Sequence, residues 1–65
     1  VFQAIEFYGV AFFMKNYNLN EDEVYEFVLG ALENSDIEEN FRSSNHSVVL
    51  NSFNEYYNSI SNEKN

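Results

Sequence analysis

The chain has 65 residues, 45% of them hydrophobic and 18% aromatic, which is the composition of a folding chain long enough for one domain at most. Eleven acids stand against three bases, Lys15, Arg42 and Lys64, for a net charge of −8, which disfavours nucleic acid and anionic membranes as partners and favours a basic protein. Cysteine is absent and histidine occurs once, which excludes disulfide support and argues against a structural zinc site, leaving self-association as a route to stability; no metal or cofactor is expected.

The first predicted element is a helix over about residues 2–16. Val1, Ala4, Tyr8, Ala11 and Met14 fall on one side and Phe2, Ile5, Gly9, Phe12 and Phe13 beside them, so only a narrow strip around Gln3 and Glu6 is polar. A helix apolar on nearly all sides is central in a bundle or faces a partner. The alternation of a half-buried strand is missing. This apolar run is shorter than the ~20 residues a membrane span needs, and it lacks the basic leading region of a signal peptide. A cytoplasmic location is therefore expected. The absence of an initial methionine is expected of a processed product, a fragment or a sequence lacking its start.

The second helix, about 21–33, has the clearest local signals. Asn20 suits the N-cap, Glu23 is placed as the returning half of a capping box, and Leu19 with Val24 fits a hydrophobic staple. Val24, Phe27, Val28, Ala31 and Leu32 then recur with the helical period. A short helix follows at about 36–42, capped by Ser35 or Asp36, with Ile37 and Phe41 one turn apart. The polar stretch 43–46 breaks the pattern. A last helix is predicted over about 47–60, capped by Asn45 or Ser47 and carrying the stripe Val49, Phe53, Tyr56 and Ile60.

The expected fold class is therefore all-α: a small compact bundle of three principal helices (about 2–16, 21–33 and 47–60) plus a short helix (about 36–42). Residues 1–60 form one helical domain in this reading, and 61–65 a frayed polar tail. Proline is absent, so nothing forbids helix, but Gly9 and Gly30 each lie inside a predicted helix at a cost of about 1 kcal/mol relative to alanine. Either they are tolerated there, or the first two helices approach closely at both. The order long, long, short, long resembles that of bacterial DNase-immunity proteins, small acidic bundles with a short third helix; the likeness is one of fold order and no residue motif carries it.

Candidate chemistry is sparse. His46 lies beside Ser44 and Ser47, but in a polar turn where an exposed loop histidine is the simpler reading, and no catalytic residue is assigned. Asn16, Asn18 and Asn20 alternate as calcium-loop ligands do, yet Glu21 and Phe27 stand where the loop needs glycine and a bidentate glutamate. Asn45, His46 and Ser47 match the acceptor pattern for glycosylation and equally suit a helix cap. A helix-turn-helix drawn through the middle of the chain would present Glu38 and Glu39 to phosphates.

Charge is the feature that points outward. Eight of the eleven acids form two groups, Glu21, Asp22, Glu23 and Glu26, then Glu33, Asp36, Glu38 and Glu39. Six of these eight lie in first turns, where the helix dipole favours an anion by roughly 0.3–1 kcal/mol each. Glu33 has no such reason. The expected function is a non-enzymatic acidic protein-binding module of inhibitor or immunity type, contacting a basic partner protein through Glu26, Glu33, Asp36, Glu38 and Glu39. The alternative is an oligomerisation or assembly subunit that self-associates through Phe2, Phe7, Tyr8 and Phe13 on the first helix.

Overall fold

The computed structural model describes residues 3–63, and these are all-α, as expected. Val1, Phe2, Lys64 and Asn65 lie outside the described residues. Among the described residues five helices follow in order: α1 (Gln3–Tyr8), α2 (Val10–Tyr17), α3 (Glu21–Asn34), α4 (Ile37–Arg42) and α5 (His46–Glu63). They divide into two compact units, Val1–Gly30 and Ala31–Asn65, with the division falling inside α3.

In the first unit the expected single helix is two. The chain breaks at Gly9, whose φ of 91° and ψ of 146° are closed to side chains bearing a Cβ. Its N–H still donates to the Ile5 carbonyl at 2.8 Å, ending α1, while its own carbonyl accepts from the Phe12 N–H at 3.2 Å, starting α2. The close-approach explanation fails here, because a Cβ added to Gly9 would meet no atom within 4 Å. Glycine is required by the backbone and not by a neighbour.

The α2 helix ends on Asn18 in the left-handed conformation (φ 54°), and the Met14 carbonyl accepts the N–H groups of both Asn18 and Leu19. Asparagine is among the few residues besides glycine that enter this region readily. The capping box of α3 forms its returning half: the Asn20 N–H donates to the Glu23 carboxylate at 2.9 Å. Phe13, Val24, Phe27, Val28 and Tyr17 are buried. Ring packs on ring from α2 to α3, with Tyr17 to Phe27 at 4.8 Å between centroids and Phe13 to Phe27 at 6.5 Å.

In the second unit α4 packs against α5, and Ile37, Val49 and Phe53 are fully buried. Ser35 closes α3 instead of opening α4, donating its hydroxyl to the Ala31 carbonyl at 2.7 Å. Asp36 holds the N-cap position of α4, and its carbonyl accepts the Asn40 N–H at 3.1 Å and the Asn40 side-chain amide at 2.8 Å. The turn after α4 has Ser44 left-handed (φ 62°), with Asn45 N–H to Asn40 carbonyl at 2.9 Å and Ser44 N–H to Phe41 carbonyl at 3.1 Å. That pair of bonds is the Schellman arrangement. Asn45 then starts α5 through its carbonyl, which accepts the Val49 N–H at 3.0 Å. The last helix continues to Glu63, beyond the expected end near 60. No proline or glycine interrupts residues 46–63, so no breaker stops the helix before Glu63.

Candidate functional site

The five acids assigned to a binding face are all exposed. Glu26 belongs to the first unit, and Glu33, Asp36, Glu38 and Glu39 follow one another through the end of α3, the turn and the first turn of α4 in the second. Arg42 pairs with Glu38 one turn earlier on α4, an exposed contact worth a few tenths of a kcal/mol. Asp36 makes no side-chain cap bond despite its N-cap position. Among the described residues, Arg42 with Glu38 is the ion pair formed, so Glu26, Glu33, Asp36 and Glu39 are not neutralised by a described base. Their charge faces solvent.

The apolar candidates separate sharply. Phe7 is 61% exposed, its ring edge-on to Tyr8 at 5.0 Å. Tyr8 is half-buried and stacked on Phe12 at 5.3 Å. Phe13 is a correction: it is fully buried, with Phe12, Tyr17 and Phe27 around it, and belongs to the core instead of an interface. Phe2 lies outside the described residues. Burial raises the phenol pKa of both Tyr17 and Tyr8, so neither is a ready proton donor near neutrality.

His46 also differs from its reading as an exposed loop residue. It is the first residue of α5, half-buried, with its ring edge-to-face with Phe41 at 5.9 Å. The alternating asparagines that imitate a calcium loop have structural tasks. Asn16 donates its amide to the Phe12 carbonyl at 2.8 Å, Asn18 supplies the left-handed cap, and Asn20 opens α3. Among the described residues, no group of three or more histidines, cysteines or acids is placed to hold a metal ion. Nor is any helix of the described residues long and apolar enough to cross a membrane.

Two features were missed in the sequence. One is a cleft of about 520 Å³ in the second unit, lined by Asn34, Ser35, Ser52, Glu55, Tyr56 and Ile60 among others. Its signal was the small polar row Ser52 and Ser59 flanking Tyr56 at helical spacing on α5. Its lining offers hydroxyls, an amide and one carboxylate, with no histidine or cysteine to act as base or nucleophile. The other is the outward side of α3. There Tyr25 and Leu29, one turn apart, remain 48% and 44% exposed. The stripe Val24, Phe27, Val28 and Ala31 takes the buried side, which leaves these two large apolar residues facing out.

In comparisons with protein-family models, curated proteins and solved structures, nothing matches this chain.

Proposed function

We propose that this chain is a non-enzymatic acidic protein-binding module, of inhibitor or immunity type, that engages a basic surface of a partner protein. One observation carries the reading: between Lys15 and Arg42 the sequence has eight acids and no base, and all eight acids are exposed. Helix-dipole stabilisation accounts for the acids in first turns but not for Glu26 or Glu33, which lie outside them. Exposed charge of one sign steers an oppositely charged partner and repels copies of the chain from one another.

The test compares capture of cationic proteins from an extract of the source cell at low salt by the wild type and by the variant Glu26→Lys/Glu33→Lys. Neither residue caps a helix or pairs with a described base, so circular dichroism should show an unchanged fold. Capture is expected to fall at least tenfold in the variant and to be lost in high salt. Equal capture by both proteins would defeat the reading.

A second reading, self-association through α1, is favoured by the 61% exposure of Phe7. It requires a dimer or larger species by light scattering that survives high salt and reverts to monomer in Phe7→Glu.

A further inference from the structure

The outward side of α3 in the first unit combines two properties that the acidic charge alone does not explain. Tyr25 and Leu29 are about 6 Å apart along the helix axis, one turn on the same face. Tyr25 makes no hydrogen bond or ring contact with another described residue. Around them stand Glu21, Asp22 and Glu26, each three or four residues from Tyr25 or Leu29 and each exposed. Solitary exposed apolar residues need no explanation, but here a tyrosine and a leucine one turn apart are flanked by exposed acids of one sign, the arrangement of an apolar centre with a charged rim.

The rim decides what covers it. A second copy placing the same face there would set Glu21, Asp22 and Glu26 against their own equivalents, and an anionic membrane meets the same repulsion. A partner that satisfies both parts has cationic side chains flanking apolar ones. A convex helical face with apolar side chains at i and i+4 is best matched by a second helix whose apolar side chains, at the same spacing, pack between them. We propose that this face docks a basic amphipathic helix, leucine-like side chains against Tyr25 and Leu29 and lysines or arginines against Glu21, Asp22 and Glu26. The inference rests on the acidic-module reading and specifies where and with what kind of segment it works.

The chain has no tryptophan, so a single tryptophan in a synthetic peptide reports binding by fluorescence without background from the protein. The probe is an ~18-residue helical peptide with leucines at i, i+4 and i+7 and lysine or arginine elsewhere on that side. Its control has the same charge, with glutamine for each leucine. Tyr25→Gln and Leu29→Gln keep a helix-compatible residue on an exposed surface, and circular dichroism verifies their fold. The amphipathic peptide is expected to bind the wild type at low salt, the control at least tenfold more weakly, and each glutamine variant to lose about tenfold in affinity. Equal affinity in both glutamine variants would overturn the inference. If that equality accompanies binding abolished by Glu26→Lys/Glu33→Lys, the acidic module stands and its docking site lies elsewhere. No binding of either peptide would also overturn the inference, while the extract capture still judges the module independently.

Discussion

In the first unit rings pack on rings, with Tyr8, Phe12, Phe13, Tyr17 and Phe27 forming a connected set, whereas the fully buried side chains of α4 and α5 are Ile37, Val49 and Phe53. The units also differ in how they bend the chain. Each needs positive φ at a helix break, and the first places glycine at φ 91° and asparagine at φ 54°, while the second places serine at φ 62°. The aromatic unit therefore has its core and its backbone in agreement. The other carries a residue that resists the conformation its turn demands. Agreement between local preference and global fold is what makes a structure unique, and here it is uneven along 65 residues.

The largest expected effect separates two phenylalanines of the aromatic unit. Phe13 has no exposed surface, and Phe13→Ala should cost about 3–5 kcal/mol, comparable to the whole stability of so small a domain. Phe7→Ala, at a residue 61% exposed, should change stability by about 0.5 kcal/mol or less. Urea titration followed by circular dichroism checks both. Similar losses at the two positions would mean that α1 and α2 share one buried face after all.

A smaller effect, with an informative sign, is expected at Gly9. A glycine merely tolerated inside a helix predicts that Gly9→Ala stabilises by about 1 kcal/mol. The φ of 91° predicts the reverse, a loss of about 1–3 kcal/mol, although the space around the missing Cβ is empty. Thermal unfolding decides between them. A higher midpoint in the alanine variant would mean that α1 and α2 are one helix.

These positions show which parts of the fold the sequence exposes to reading. The start of α3 was legible because a capping box is local: Asn20 and Glu23 need only each other. The buried stripe of α3 was legible because periodicity is local too. The break at Gly9 was not, since a glycine in an apolar run has the same appearance whether its φ is negative or positive, and residues 2–15 hold no serine, threonine, aspartate or asparagine to mark a boundary. Phe13 could not be distinguished from Phe7 for a related reason. A helix apolar on nearly every side gives no direction for the core. The acidic candidates were legible as exposed residues. The exposure of Tyr25 and Leu29 was not legible, because α3 is apolar over more of its circumference than its buried stripe Val24, Phe27, Val28 and Ala31, and composition does not say which apolar residues stay outside.

A smaller effect than that at Gly9 is expected in the second unit, and it stabilises the unit. Ser44 occupies the left-handed position of a Schellman turn, where a Cβ is disfavoured by roughly 1–2 kcal/mol and glycine is not. Glycine gives part of that back through the greater freedom of the unfolded chain. Ser44→Gly should therefore stabilise by about 0.5–1 kcal/mol, raising the midpoint of a domain this size by a few degrees. The adjacent Ser43, at an ordinary φ of −87°, is the control: Ser43→Gly gains nothing from the turn and should lower the midpoint slightly. Asn18→Gly should gain less than Ser44→Gly, because asparagine already enters the left-handed region readily. If both serine variants moved the midpoint equally and downward, Ser44 would not carry the turn, and the contrast between a well-matched backbone in the first unit and a strained one in the second would fail.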